Sequence, residues 1–403
     1  MSTELDARAL SREIHALALF RPLLDGPVLG GLLALLENEA APEHERIDTY
    51  CAFVAALYAA GGDLGAHLLN QVLECENPVV RLRARNQRET PEMAAALATE
   101  LELFTRLSAL APAAVAALAG PHGNLPAFAS TPQDFTAVYV QRLSESSTRG
   151  YGIFAAHHMF TLGEGATLLP VKNPDPQRLS DLTGYENERK AVLLNTRALL
   201  KGLAANNILL YGDAGTGKSS TVKAIGNEFA PQGLRLVEVR KNQLYQIPLL
   251  MDSLAENPLK FVLFIDDLSF PADDAGFTAL KAILEGNISA RPSNIVVYAT
   301  SNRRHMVKQH FADRADEVSL NDTLEEEASL SARFGLTITF LKPDRALYQS
   351  IVAALAEEFG LKTPPDALMA RAETHAIRHG GRSPRTARQF VELMRAEELI
   401  EGE

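Results

Sequence analysis

The residues Gly212–Ser219 have the types and spacing that could hold a phosphate chain. They read Gly-Asp-Ala-Gly-Thr-Gly-Lys-Ser and fit the pattern G-x-x-x-x-G-K-[ST]. Glycines permit a tight turn whose backbone N–H groups point at an anion. We expect Lys218 to reach the β- and γ-phosphates of a nucleotide and the Ser219 hydroxyl to bind Mg²⁺. The predicted nucleotide-binding residues of this segment are Gly212, Asp213, Ala214, Gly215, Thr216, Gly217, Lys218, Ser219 and Ser220.

The flanking sequence supports this interpretation of the motif. Residues 207–211 form a short apolar run that is typical of a buried parallel strand. Residues 220–229 place Val222, Ile225 and Phe229 at helical spacing on one face. A strand, a glycine-rich turn and a helix in this order are the context that a phosphate-binding loop requires.

Two carboxylates follow a second apolar run. Residues 261–265 predict a strand buried on both faces, and Asp266 and Asp267 come directly after it. Ligands of open α/β folds bind at the carboxyl ends of the strands. We expect Asp266 to hold Mg²⁺ and Asp267 to polarise an attacking water. The alternative is an ordinary acidic turn.

A third apolar run ends in a polar amide. Residues 294–299 predict another buried strand, which Thr300, Ser301 and Asn302 follow. The Asn302 amide at this strand end can orient a water and contact a γ-phosphate. The alternative is a turn-forming Ser-Asn pair.

Composition narrows the class of protein. The net charge of −11 disfavours indiscriminate nucleic-acid binding but leaves room for local basic patches in residues 81–88 and 303–310. Cys51 and Cys75 indicate neither a disulfide framework nor a Cys-rich metal site. The N-terminal residues lack a basic-then-apolar leader, and the apolar runs are too short to span a bilayer. We therefore expect a cytoplasmic protein without membrane contact.

Periodicity changes along the chain and predicts its domain organisation. Apolar residues recur at helical spacing near the N-terminus, strands and helices alternate in the middle, and the C-terminal part is helical again. The region around residues 169–178 is Pro-rich and polar, which is typical of an extended linker. The predicted regions are a helical region at 1–150, a short strand or hairpin with a linker at 151–179, an α/β core at 180–341 and a helical lid at 342–403.

Taken together, these motifs resemble those of AAA+ ATPases over roughly residues 180–400. The resemblance rests on the phosphate loop, the acid-tipped strand, Thr300–Asn302, Ser331–Gly335 and Gly381–Arg385. Residues 206–212, 264–270 and 284–305 look more narrowly like an uncharacterised bacterial predicted-ATPase family. That resemblance implies an α/β P-loop NTPase core of parallel strands with a C-terminal helical lid, preceded by an all-helical region.

The resemblance also implies roles for single residues. Asn302 occupies the sensor-1 position, and Arg333 resembles the arginine finger that one subunit inserts into the site of its neighbour. Arg385 matches the sensor-2 arginine of the lid, while Gly184 and Tyr185 lie in a stretch that resembles the adenine-packing segment. Each arginine has an alternative interpretation as a surface ion pair. The placement of Arg303 and Arg304 at a subunit interface or a pore is left open.

One departure from the AAA+ pattern concerns Asp267. Most AAA+ proteins carry Asp-Glu at this strand end, whereas this chain has Asp-Asp. Asp is one methylene shorter than Glu, which moves the carboxylate by about 1.5 Å. Such a displacement can cost about a hundredfold in rate. Slow hydrolysis is therefore an open alternative, with Glu285 as a substitute base.

The leading functional hypothesis is an ATP-driven motor or remodeller that uses ATP and Mg²⁺. The resemblance implies a ring of identical subunits, for which we expect a hexamer, and a protein or DNA-associated partner bound through residues 1–150. The alternative favoured by Asp267 is a nucleotide-gated binding switch with little turnover. A P-loop kinase is a third interpretation, but it leaves the sensor and lid features without a role.

Overall fold

The computed structural model describes residues 6–120, 124–268, 270–271, 280–281, 283–284, 292–302, 307–308 and 332–401. Contacts divide the chain into two compact units, one ending at Ala156 and one beginning at His157. Each unit has its own hydrophobic core. Within the described ranges, no helix is both long enough and apolar enough to cross a bilayer.

The first unit is built from helices, as the sequence predicted. Several of them begin at an Asp, Asn or Thr whose side chain accepts a hydrogen bond from the first turn, for example Asp63 and Asn77. Phe20 lies edge-to-face against Phe104 and Tyr139 in the core, with centroids 5.4 and 5.5 Å apart. The helices are α1 Ala7–His15, α2 Pro27–Glu37, α3 Glu43–Ala59, α4 Leu64–Glu74, α5 Pro78–Ala84, α6 Pro91–Ser108, α7 Pro112–Ala117, α8 Phe135–Ser144, α9 Ser146–Arg149 and α10 Ile153–Ala156.

The second unit contains a sheet of seven described strands in the order β2-β1-β4-β5-β7-β3-β9. The β1–β2 pair is antiparallel, and all the other pairs in this sheet are parallel. Two short strands, β6 and β8, pair with each other. The strands are β1 Met159–Leu162, β2 Leu168–Pro170, β3 Ile208–Gly212, β4 Leu234–Glu238, β5 Lys260–Ile265, β6 Phe270–Pro271, β7 Ile295–Asn302, β8 Val307–Lys308 and β9 Leu336–Phe340.

Strands β5 and β7 are buried on both faces, which explains why their sequences are continuous apolar runs rather than alternating ones. The register fixes which residues meet at the carboxyl edge. Gly212, the last residue of β3, pairs with Asn302 on β7 and with Phe340 on β9. Ile265, the last residue of β5, pairs with Ala299. The phosphate loop, the two carboxylates and Asn302 therefore leave the sheet at one edge.

Helices cover the sheet and form the lid. On the helix that follows the phosphate loop, Val222, Ile225 and Phe229 are buried, as their spacing predicted. Tyr348 and Phe390 are buried in a separate core formed by the last three helices. These helices are α11 Glu186–Leu200, α12 Lys218–Phe229, α13 Ile247–Leu254, α14 Arg345–Phe359, α15 Pro365–Arg378 and α16 Pro384–Glu401.

The hairpin β1–β2 differs from the predicted organisation. The sequence predicted a strand or hairpin separate from the α/β core, with the linker starting at Leu169. Instead, β1 pairs in parallel with β4, and Leu169 and Pro170 belong to β2. The reason is the free edge of β4, whose backbone groups need a partner. Pro170 is tolerated because it ends an edge strand. The predicted fold class, a core of parallel strands with a C-terminal helical region and an all-helical region before it, is confirmed.

Candidate functional site

The phosphate loop leaves β3 through backbone conformations that only glycine adopts easily. Gly212, Gly215 and Gly217 have positive φ values of 140°, 78° and 89°. A Cβ on Gly212 would also lie 2.7 Å from the carbonyl carbon of Phe340 on the neighbouring strand. Gly217 is the N-cap of α12, so the loop ends at the positive end of that helix. The backbone geometry thus fits an anion-binding loop.

Lys218 is buried at the centre of this loop. Its Nζ donates hydrogen bonds to the carbonyl oxygens of Gly212 and Asp213, at 3.0 and 2.7 Å, and to Asn302 Oδ1 at 3.3 Å. Burial lowers the pKa of Lys218, while the nearby carboxylates, Asp213 first among them, oppose that shift. Among the described residues, the hydrogen-bond acceptors of this ammonium group are neutral oxygens, so its charge is available to an added anion.

One carboxylate oxygen collects donors from three segments. Asp266 Oδ1 accepts from Ser219 Oγ at 2.6 Å, from Thr300 Oγ1 at 2.6 Å and from the N–H of Asp267 at 3.2 Å. A hydroxyl and a carboxylate side by side are the hard oxygen ligands that Mg²⁺ prefers. Ser219 and Asp266 therefore fit the magnesium ion that the sequence predicted for them.

Asp267 has an unusual backbone conformation. Its φ of 52° lies in the left-handed region, which Asp tolerates better than most residues. Asn302 Nδ2 donates to its Oδ1 at 2.7 Å, and its N–H donates to Thr300 Oγ1 at 2.9 Å. Two residues of β7 thus hold both the side chain and the backbone of Asp267.

The lid reaches the phosphate loop at Gly215. The Arg385 N–H donates to the Gly215 carbonyl at 3.3 Å, and a Cβ on Gly215 would lie 3.2 Å from Ser383 Oγ. Ser383 accepts from the N–H of Thr386 at 3.1 Å and so caps the start of α16. This contact places Arg385 on the wall of the site.

These residues surround one cleft with a volume of about 650 Å³. Its walls are the loop residues 214–221, the carboxylates with Thr300 and Asn302, the lid residues Ile351, Leu355, Pro384, Arg385 and Arg388, and the segments 175–177 and 181–183. Polar groups lie at the loop and carboxylates, whereas aliphatic side chains of the lid lie elsewhere on the wall. The cleft has the size and the mixed character of a small-ligand site.

Tyr185 does not line this cleft. Its ring stacks on Phe340 at 5.4 Å, and its hydroxyl donates to the Leu341 carbonyl at 2.6 Å. Burial raises the pKa of that hydroxyl. Gly184 is buried, and a Cβ there would lie 3.1 Å from Ile351. The preceding residues Leu182 and Thr183 line the cleft instead, two residues upstream of the predicted pair.

Arg333 lies away from the cleft of its own chain. It precedes β9, which runs parallel to β3, so it lies beyond the opposite end of the sheet from the phosphate loop. At about 3.3 Å per residue, the five residues of β9 span about 17 Å. Predictions about Glu285, Arg303, Arg304, His305 and Ser331 fall outside the described residues.

Sequence reasoning missed Arg189 and the segment 175–177 as parts of the cleft wall. The Asn227 amide on α12 holds that segment by donating to the carbonyls of Asp175 and Gln177, both at 2.8 Å. His158 Nε2 lies 2.9 Å from Asn227 Oδ1. Among the described residues, no group of three or more His, Cys, Asp or Glu side chains could hold a metal ion. The Pro-rich composition predicted an extended segment, but no pattern indicated where it docks.

The parallel sheet and the glycine-rich phosphate loop after β3 define an α/β P-loop NTPase fold, which is the fold class that the sequence predicted. The chain belongs to the family described as protein of unknown function (DUF815), which matches residues 155–398. No curated protein matches it.

Solved structures similar to this chain include those of RuvB from Thermotoga maritima. The RuvB Holliday junction branch migration motor shares 18% identity with a TM-score of 0.39, covering 56% of this chain and 67% of that chain. A point variant of the same protein shares 18% identity with a TM-score of 0.38 and the same coverage. Another point variant shares 18% identity with a TM-score of 0.39, covering 57% of this chain and 67% of that chain.

Proposed function

We propose that this protein binds ATP with Mg²⁺ and hydrolyses the γ-phosphate to drive a change in a macromolecular partner. The observation that carries the proposal is one cleft lined by the phosphate loop, by Asp266 and Asp267, by Asn302 and by Arg385. Phosphoryl transfer requires a phosphate cradle, a metal ligand, a group that positions water and a cation for the developing charge. Each of these roles has a candidate in the cleft.

The chain's own residues divide the chemistry as follows. Lys218 would exchange its carbonyl partners for the β- and γ-phosphate oxygens, which recovers the cost of its burial. Asp267 would accept a proton from the attacking water, and Asn302 would orient that water and contact the γ-phosphate. Arg385 would neutralise charge from the lid side. Ser219 and Asp266 would hold Mg²⁺, which when bound would supply positive charge to offset that of the phosphates.

The position of Arg333 supports a ring. Arg333 lies beyond the far end of the sheet from the loop and does not line the cleft of its own chain, which supports the proposal that it serves the cleft of a neighbouring copy. We propose a closed ring, with six subunits as the expected number. Mixing Lys218→Ala and Arg333→Ala chains tests this arrangement, since a mixed ring contains sites with both residues intact. Recovery of ATPase activity in the mixture supports the ring, and no recovery in rings shown to mix contradicts the role in trans.

The helical unit that ends at Ala156 is proposed to recruit the partner in the cytoplasm. The partner is a protein or a DNA-associated protein, because the net charge of −11 disfavours bare nucleic acid. In the basic run near α5, Arg81 and Arg83 already have the ionic partners Glu76 and Glu89. Binding of the isolated partner to the full chain, with and without ATP, tests this assignment.

A second candidate function is a nucleotide-gated switch with little turnover. The conformation of Asp267 favours it, because Asn302 holds the carboxylate that would otherwise act on water. Single-turnover hydrolysis of the wild type and Asp267→Glu separates the two functions. If the Glu variant is about tenfold faster while partner capture is unchanged, the switch is supported.

The primary experiment measures binding and assembly together. Calorimetry with ATP and ADP should detect uptake by the wild type and its loss in Lys218→Ala. The mass of the assembly with ATP and Mg²⁺ should exceed that of one chain for the wild type. Absence of nucleotide uptake would overturn the proposed function, and a wild type that binds ATP but stays a single chain would refute the ring.

A further inference from the structure

Thr300 is a buried hydroxyl that lies between the two carboxylates of the cleft. Its residue is 2% exposed, and it belongs to β7, two residues before Asn302. We infer that Thr300 is a positioning residue whose single hydroxyl group orients Asp266 to bind magnesium and Asp267 to activate water. This inference rests on the proposed function and deepens it.

The hydrogen bonds fix the direction of the Thr300 hydroxyl. The N–H of Asp267 donates to Thr300 Oγ1 at 2.9 Å, so the hydroxyl oxygen acts as an acceptor there. Its own proton is then available for Asp266 Oδ1, 2.6 Å away. A hydroxyl has one proton, and this proton is committed to the carboxylate. Thr300 therefore connects the two acids in a defined order, from the Asp267 backbone to the Asp266 side chain.

Strand register explains why a residue at this position can act on both acids. Ile265 pairs with Ala299. The residues that follow them, Asp266 after β5 and Thr300 on β7, therefore lie side by side. Side chains two residues apart on a strand share a face, which puts Thr300 and Asn302 on the same side of β7. Thr300 holds the backbone of Asp267, and Asn302 holds its carboxylate.

This pair of contacts maintains the left-handed backbone of Asp267. With a φ of 52°, the residue aims its carboxylate at Asn302 instead of continuing the direction of β5. The carbonyl of Thr300 also accepts from the N–H of Leu268 at 2.7 Å, so the turn is bonded on both sides of Asp267. Loss of the hydroxyl removes the shorter of two side-chain hydrogen bonds from the Asp267 N–H, at 2.9 Å against 3.2 Å to Asp266 Oδ1, and it removes a donor to Asp266.

The test replaces the hydroxyl with a methyl group of similar size. In Thr300→Val both bonds are lost while the volume is kept, and Thr300→Ser keeps the hydroxyl. Calorimetry of a non-hydrolysable ATP analogue, with Mg²⁺ and with EDTA, measures the metal-dependent part of binding without any turnover. We expect Thr300→Val to lose about 10- to 100-fold of the magnesium-dependent affinity. Binding in EDTA should change less than about twofold, and Thr300→Ser should restore the magnesium effect.

Ser301→Ala is the matched control. Ser301 is equally buried and donates to the Leu268 carbonyl at 2.8 Å, so its loss weakens the same turn without touching either carboxylate. It should lower the melting temperature and leave the magnesium effect as in the wild type. Thr300→Ala provides a second hydroxyl-free variant if the Val chain does not fold.

Three outcomes separate the inference from the proposed function. Wild-type magnesium dependence in Thr300→Val or Thr300→Ala overturns the positioning role. An equal loss of the magnesium effect in Ser301→Ala also overturns it, because the effect would then report the turn in general. A wild type that binds the analogue with Mg²⁺ but never hydrolyses ATP refutes the ATPase function, and the Thr300 comparison still stands.

Discussion

The conformation of Asp267 predicts that lengthening this residue lowers turnover. In AAA+ proteins with Asp-Glu at this strand end, the longer side chain supplies the base, so Asp267→Glu could be expected to restore fast hydrolysis. The structure predicts the opposite. Asp267 has a φ of 52° and its carboxylate accepts from Asn302 at 2.7 Å, so the site is arranged around the shorter residue.

Two physical effects set the magnitude. The added methylene moves the carboxylate by about 1.5 Å, and a displacement near 1 Å can cost about 100-fold in rate. Glu also tolerates the left-handed region less well than Asp, at a cost of about 1 kcal/mol. We therefore expect kcat to fall about 10- to 100-fold in Asp267→Glu, with nucleotide affinity within about threefold of the wild type.

The assay is single-turnover ATP hydrolysis at saturating protein, with calorimetry of nucleotide binding on the same variants. Asp267→Asn is the matched control, because it keeps the size and the left-handed preference of Asp but removes the charge. It should bind ATP normally and hydrolyse it more slowly than Asp267→Glu. A Glu variant that equals or exceeds the wild type would show that the site is not adapted to Asp267, and the switch function would then be favoured.

Two further predictions concern stability. Buried Glu100 accepts from the backbone N–H groups of residues 18–20 at 2.9–3.2 Å, so Glu100→Gln should destabilise the protein by about 2–3 kcal/mol. Thermal unfolding measures this change, and a loss as small as that of exposed Glu102→Gln would contradict it. Burial, and then His379, lower the pKa of His375 below 6.5. As the pH falls, His375 is therefore protonated at a higher pH in the unfolded chain than in the folded one. The free energy of unfolding should fall as the pH drops below 6.5. In His375→Phe that part of the pH dependence, followed by melting temperature from pH 7.5 to 5, should disappear; an unchanged profile would assign it elsewhere.

The strands around the cleft could be predicted because the sequence of each strand shows whether its faces are buried. Strand β5 starts one residue before its predicted range, and β3 is shifted by one residue at each end relative to the predicted 207–211. Continuous apolar runs arise wherever both faces of a parallel strand are covered, so the pattern is local. The hairpin β1–β2 was harder, because its place depends on the free edge of β4, which lies more than seventy residues away in the sequence.

The candidate site also contains residues that could be predicted from the sequence and residues that could not. The glycines, Lys218 and Ser219 were visible because a phosphate loop must place all its groups within one turn of backbone. The resemblance predicts adenine packing for the segment that contains Tyr185, yet the Tyr185 ring packs on Phe340 because that strand offers an apolar partner. Arg189 reaches the cleft wall from α11, and no nearby motif marks it.

The sequence by itself determined the order of the elements, the phosphate loop and the presence of two acids after β5, because these features depend on residues adjacent in the chain. Only the tertiary structure decided what those acids contact. The register between β5 and β7 brings Thr300 beside Asp266, and the left-handed turn directs Asp267 to Asn302. Such contacts join strands that are more than thirty residues apart, and their geometry depends on how the strands pair rather than on any local pattern.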